Sequence, residues 1–350
     1  MKIKCFFLLL VLSGLLCACS EQYRGGKKFV GQSMAQINLK EYFAYVDIIP
    51  MKMKNQDLIG SIDKIMEIDS SYVILDKRQQ SLFSFDRFGN HMETLSKYGE
   101  GPCDYLNIYD FDVDEKKRKI YLLCFPKKIM AFDFSFRQDT IIKLDKDYQR
   151  IAVVDSCIYL YEGTRNLYLK TKEDSPRLVH SVGEMKKLYL GNEPVFHRVD
   201  NEVLYVPHGS ASVYRIENDK VQERCILDYE NKELAEEKMC DNSNVSMDGF
   251  ARYTPPRISH IYKLDSLYHI HYTYQLLMRK CVIDIRKYSM LEDGILVFEG
   301  RIPQMGNSVS MLSWDFCSDS GIQIPSGLKV NYVSSFSEED DMAFVKYVVK

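Results

Sequence analysis

A motif repeated at intervals of about 40 to 50 residues constrains this chain more than any other feature. Tyr72-Val73-Ile74-Leu75-Asp76 is followed by Leu82-Phe83-Ser84-Phe85-Asp86. Forty-eight residues after Tyr72, Ile120-Tyr121-Leu122-Leu123-Cys124 is followed by Ile129-Met130-Ala131-Phe132-Asp133. Ile158–Tyr161 with Leu167–Leu169, and Val203–Val206 with Val213–Ile216, are third and fourth copies. In each copy two short runs rich in β-branched and aromatic residues flank a tight turn, the second starting nine or ten residues after the first. Nearly every position is apolar, so both faces of each sheet must be covered. Such a period with several strands per unit is the pattern of propeller blades. The expected class is therefore all-β: a six-bladed β-propeller over residues 38–350, with blades of three to four antiparallel strands.

The remaining units follow more loosely. Phe88-Gly89-Asn90 reads as the turn from a third to a fourth strand, because Gly and Asn tolerate positive φ, and Met92–Leu95 reads as the outer strand. Leu267–Ile270 with Cys281–Ile285 suggests a fifth unit, and Gly294–Phe298 with Met311–Phe316 a sixth. Asn231–Pro256 is an insertion, of which Asn231–Met239 is the one stretch with helical character. An open ring would leave a bare sheet edge. Tyr45–Ile49 and Ala343–Val349, both strands by composition, are therefore expected in the same or adjacent blades.

The first eighteen residues lie outside this scheme. Lys2 and Lys4 precede the apolar run Phe6–Leu16, and Leu16-Cys17-Ala18 precedes Cys19, as in an export signal too short to span a bilayer. The same four residues resemble a bacterial lipoprotein box, which implies cleavage before Cys19 and acylation of that cysteine. Residues 1–18 are thus expected to be a lipoprotein signal peptide and 19–37 a lipid-anchored flexible tether, with Cys19 as the lipidation site. Ser20 after Cys19, with no Asp there, points to the outer membrane by analogy with lipoprotein sorting. Loss of Lys2 and Lys4 moves the net charge from -3 to -5. A mildly acidic chain without a basic run has no electrostatic reason to bind nucleic acid.

A family resemblance rests on four stretches: Leu58–Ile65, Tyr72–Asp76, Leu82–Asp86 and Tyr98-Gly99-Glu100-Gly101-Pro102-Cys103-Asp104-Tyr105. They resemble the six-bladed β-propeller lipoproteins of Bacteroides and relatives, which are themselves similar to NHL-repeat propellers. The likeness is close from about Tyr42 to Leu144 and is carried by strand spacing beyond. The inter-blade motif of such proteins reads G-x-G-P-G-E-Y. Here Cys103 and Asp104 stand in place of its last glycine and its glutamate. The resemblance implies an exported, membrane-anchored propeller and brings no agreed reaction with it.

Chemical motifs are sparse. HExxH, GxSxG, Walker and GxGxxG patterns are absent from the chain after residue 18. Seven cysteines follow Cys19 without close pairing, and Cys124, Cys157 and Cys281 sit in or beside apolar runs, as small buried hydrophobes do. His269 and His271 share one face of a strand, a minimal metal site without a third ligand. Asp110-Phe111-Asp112-Val113-Asp114 has acids where a calcium loop starts, but Glu115 and Tyr121 occupy its required Gly and Glu positions. The expected reading is an exposed strand end with Phe111 and Val113 inward and the acids outward. No catalytic, cofactor-binding or metal residue is therefore assigned. The expected function is a ligand-binding or protein-interaction module, with a glycan, peptide or envelope protein as partner and the membrane engaged through acylated Cys19. The alternative is a propeller enzyme, a lyase or hydrolase acting at the central channel on glycans or peptides. The loops expected to meet the ligand are Tyr98–Tyr105, Glu162–Asn166, His208–Ala211 and the Asn231–Pro256 insertion.

Overall fold

A computed structural model describes residues 27–350 apart from 31–32, 55–57, 172–174, 184–192, 201, 218, 229–255, 275–276, 285, 288, 300, 302, 304, 307–309, 318–321 and 338–339. Six antiparallel four-stranded sheets form the blades of a propeller. Blade 1 is Lys64–Ile68, Ser71–Asp76, Ser81–Phe85 and His91–Leu95, from the inner strand outward. Blade 2 is Asn107–Asp114, Lys119–Phe125, Lys128–Asp133 and Gln138–Lys143, and blade 3 is Arg150–Val154, Cys157–Tyr161, Asn166–Lys170 and Arg177–Ser181. Blade 4 is Phe196–Val199, Glu202–Tyr205, Ser212–Glu217 and Lys220–Asp228, and blade 5 is Arg257–Leu264, Leu267–Tyr274, Leu277–Asp284 and Ser289–Val297. The repeated motif is thus the second and third strands of each blade. These are the strands covered on both faces, so they are the most uniformly apolar.

Blade 6 closes the ring with both ends of the chain. Its strands are Met305–Gly306, Ser310–Phe316, Met342–Val349 and, outermost, the N-terminal strand Phe43–Pro50. The last two pair antiparallel through seven residue pairs, Val345 opposite Ile48 among them. The expected juxtaposition of Tyr45–Ile49 and Ala343–Val349 is therefore within one sheet. Gly294–Val297, expected in the sixth unit, belongs to the outer strand of blade 5. Between blades the described residues form six apolar clusters. One joins blades 6 and 1 and stacks Tyr72 on Phe344, with ring centroids 4.4 Å apart.

The segment read as a tether differs from expectation where it is described. Lys27–Val30 pairs parallel with Cys225–Asp228 as a fifth strand on blade 4, and Gln36–Asn38 pairs parallel with Ile295–Val297 on blade 5. A similar fifth strand, Lys329–Tyr332, flanks Phe43–Pro50 on blade 6. Half of the ring is therefore girdled, and two of the three girdling strands come from the N-terminal segment. Its polarity misleads because an edge strand is held by backbone hydrogen bonds and needs few apolar side chains. The chain is also tied down by side chains: Arg279 donates to the Ser33 carbonyl at 2.6 Å, and Asp293 accepts from the Ser33 amide at 2.8 Å. Gly294 allows this approach, since a Cβ there would lie 2.3 Å from the Ala35 carbonyl oxygen.

Candidate functional site: the loop-bearing mouth of the channel

In every blade the chain enters the inner strand from the same face of the ring. Connections between blades, and links between second and third strands, therefore gather on that face. The described candidate loops, Tyr98–Tyr105, Glu162–Asn166 and His208–Ala211, all lie there, while the insertion falls outside the described residues except for Pro256. The Tyr98–Tyr105 turn closes although its motif is altered. The Asp104 carboxylate accepts from the Gly101 amide at 3.0 Å, and Gly99 donates to the Tyr105 carbonyl at 3.0 Å. A Cβ on Gly99 or Gly101 would meet that carboxylate at 2.8 or 2.5 Å.

Inside the channel, the Asp110–Asp114 stretch overturns the expectation of outward-facing acids. All three aspartates are buried on the inner strand of blade 2. The inner strands of blades 2 and 3 belong to separate sheets and do not pair backbone to backbone, so their edge amides need other acceptors. The aspartates supply them: Asp110 accepts from the Ile151 amide at 3.1 Å, Asp112 from the Val153 amide at 2.6 Å, and Asp114 from the Ser156 hydroxyl at 3.2 Å. Charge is balanced from other blades. Arg198, on the inner strand of blade 4, grips Asp112 with two donors at 3.0 and 2.6 Å and also donates to the Val113 and Val153 carbonyls. Lys64 pairs with Asp110 at 2.9 Å. These acids staple blades 2 and 3 together.

A second buried group runs through blades 4 and 5. His197, His260, His269 and His271 are nearly or wholly excluded from solvent. His269 and His271 do share a face, but Tyr262 sits against both. Its ring stacks on His269 at 5.0 Å, and its hydroxyl is 3.0 Å from Nε2 of His271. Burial is the first cause that holds these imidazoles neutral, pushing His197 and His269 down to about 3 and His260 to about 4, with His271 also depressed. Lys280 lies beyond them over the Tyr42 ring, 3.4 Å from its centroid, and burial lowers its amine to about 8.

At the mouth itself the first residues of the inner strands of blades 1–5 are Lys64, Asn107, Arg150, Phe196 and Arg257. Arg257 is paired with Glu193 at 3.2 Å. These two residues, with Pro194, His208 and Ser210, line a cleft of about 10 Å³, room for a water. His208 is held near 4, first by burial. On blade 3, Lys146 contacts Glu162, lies 2.9 Å from the Tyr168 hydroxyl and sits over that ring. Burial opposes ionisation of Glu162, but hydrogen bonds from Lys146, Thr164 and Asn166 outweigh it and hold the carboxyl below its ordinary value. Arg165 donates to the His208 and Gly209 carbonyls at 3.0 and 2.7 Å, tying the loops of blades 3 and 4 together. The inner-strand starts were not singled out from the sequence. The available signal was a basic residue opening three of these strands.

Comparison with known proteins agrees with the fold. The profile of DUF4934, a domain of unknown function, matches residues 28–345. A Bacteroides fragilis protein described as exported superposes with a TM-score of 0.69 at 14% identity, covering 93% of this chain and 100% of that one. BamB from Moraxella catarrhalis gives a TM-score of 0.48 at 8% identity (85% and 100% covered), and the C-terminal WD40 domain of Sif2 gives 0.45 at 9% (91% and 97%). Identities this low show the fold alone. No curated protein matches the chain.

Proposed function

This chain belongs to the DUF4934 family, and we infer that it is an exported, membrane-anchored module that binds its ligand at the loop-bearing mouth of the channel. The observation that carries this reading is the division of labour among polar groups. Asp110, Asp112 and Asp114 inside the channel are engaged by backbone amides, Arg198, Lys64 and Ser156, whereas the mouth gathers three candidate loops and the basic starts of three inner strands. Groups held in staples are poor proton shuttles, and loops on a rigid ring are where binding chemistry usually sits. Export is supported by Lys2, Lys4 and Phe6–Leu16, and acylation by the residues leading to Cys19. The similar Bacteroides fragilis protein is also described as exported. An NHL-like lipoprotein in the outer membrane, with the domain on its periplasmic or surface face, is the location proposed.

The test is a glycan and peptide array with the full chain in detergent, beside a hydrolase and lyase screen. Saturable binding without turnover is expected. Turnover abolished by changing one channel-facing Asp, Glu or His would replace the module with an enzyme. Cys19→Ala should move the protein to the soluble fraction, and unchanged membrane association would remove the acyl anchor.

A further inference from the structure

We propose that the outer edge of blade 2, Thr140–Lys143, takes up an extended strand of a partner polypeptide, added parallel as a fifth strand. This edge lies on the rim of the ring and does not depend on the mouth being a binding site. The ring already treats three of its other edges in this way: Lys27–Val30, Gln36–Asn38 and Lys329–Tyr332 lie parallel on the outer strands of blades 4, 5 and 6. Each of these segments carries one apolar side chain into the protein, Phe29 and Ile37 being buried and Val330 partly so.

The outer strands of blades 2 and 4 are built alike. One residue bulges from each, Asp139 and Arg224, and regular pairing with the third strand resumes over Thr140–Lys143 and Cys225–Asp228. Just beyond or within these stretches an amide is spent inward, Leu144 donating to the Lys127 carbonyl at 2.8 Å and Leu227 to the Ala211 carbonyl at 2.9 Å. Backbone groups alternate in direction along a strand, so Ile226 and Asp228 face out on blade 4 and Ile141 and Lys143 face out on blade 2. Lys27–Val30 occupies the first of these edges. The second ends its sheet, and no described strand pairs with it. Ile142 holds the position of Leu227, but Leu227 is 3% exposed opposite Phe29, whereas Ile142 is only half-buried. Blades 1 and 3 offer less. Lys52 already bridges Asn90 on blade 1, and the Lys54 amine reaches the Met92 carbonyl at 3.4 Å. On blade 3 the outer strand stops at Ser181, directly after the bulge at Val179 and His180, and its Arg177 is paired with Asp219 of blade 4 at 3.5 Å. A row of outward amides and carbonyls beside half-covered isoleucines is the surface to which extended chains add. The three segments of this chain with the fitting pattern are in use on their own blades, so the occupant is another polypeptide, with a β-branched or aromatic residue between polar ones.

The probe is a synthetic peptide with the sequence of Lys27–Val30 between pairs of glycines, titrated into the full chain in detergent, and the readout is amide hydrogen exchange. Saturable slowing over residues 138–144 is expected, with the outer strands of blades 1 and 3 unchanged. In a parallel ladder the residue opposite Leu227 turns its amide to the blade and the next one turns it to solvent. N-methylation of the peptide at its phenylalanine should therefore weaken binding by roughly tenfold or more, and N-methylation at its valine should not. Ile141→Pro removes an outward donor and no bond to the third strand, so it should show the same loss with native circular dichroism; if that variant does not fold, the two methylated peptides decide alone. Unchanged exchange over 138–144, equal effects of the two methylations, or undiminished binding by folded Ile141→Pro overturns the proposal. Slowing over 138–144 that grows with protein concentration alone also overturns it, by giving the edge to a second copy.

Discussion

Acidification between pH 6.5 and pH 5 tests the buried histidines directly. In the native ring His197 and His269 are held near 3, and His208 and His260 near 4, by burial above all, against an ordinary value of 6.5. Depressed native values mean that the unfolded chain takes up protons in this window that the folded chain refuses. Stability from these sites is therefore complete above about pH 6.5 and falls as the pH drops, by about 1.4 kcal/mol per pH unit for each imidazole. Over the 1.5 units to pH 5 that amounts to about 2 kcal/mol per histidine, or about 8 kcal/mol as a ceiling for four. Domains of this kind have about 5–15 kcal/mol in total, so the ring should be close to unfolding at pH 5. Asp and Glu ordinarily titrate below the window, which isolates the histidines. Urea midpoints measured in steps across it read the slope. His260→Phe, which keeps an aromatic ring beside Tyr262 and His271, should reduce that slope by one imidazole's share. A urea midpoint that stays level from pH 6.5 to pH 5 would refute the reasoning.

Other expectations are structural. Arg198→Leu strands the buried Asp112 carboxylate and should cost about 3 kcal/mol in urea unfolding, and adding Asp112→Leu should recover part of that loss; no recovery would mean the pair matters for packing alone. Gly89→Ala should cost more than about 2 kcal/mol, because φ is +83° and a Cβ would lie 1.8 Å from the Pro50 carbonyl oxygen; a melting temperature equal to the parent's would count against that contact. Deleting Ala343–Lys350 removes the strand between Ser310–Phe316 and Phe43–Pro50, so cooperative unfolding should vanish by calorimetry; a sharp transition would show that the ring closes otherwise.

How much was legible follows from what each strand faces. Tyr72–Asp76, Ile120–Cys124 and their partners pack against neighbours on both sides, so their composition alone reported the blade. Inner strands obey a different rule. Asp110, Asp112 and Asp114 alternate with Phe111 and Val113 as an exposed edge would, yet their partners are amides and an arginine brought from residues 151, 153 and 198, which no local pattern shows. Gln36–Asn38 was unreadable as a strand because three residues held by backbone bonds carry no periodicity. The mouth was half legible: the loops were identifiable by composition, but the tie between them, Arg165 of blade 3 donating to the His208 and Gly209 carbonyls of blade 4, joins residues more than 40 positions apart.

The girdle also decides how the ring meets mechanical load. A pull on the N-terminal segment acts first along Lys27–Val30 beside Cys225–Asp228, then along Gln36–Asn38 beside Ile295–Val297. Strands pulled lengthwise past a parallel neighbour must break their bonds together and cannot unzip one at a time. The clasp Phe43–Pro50, whose removal would open the circle, feels tension only after both outer strips have torn away. A ring closed by its own N-terminal strand thus has two shear joints ahead of the strand that holds it shut.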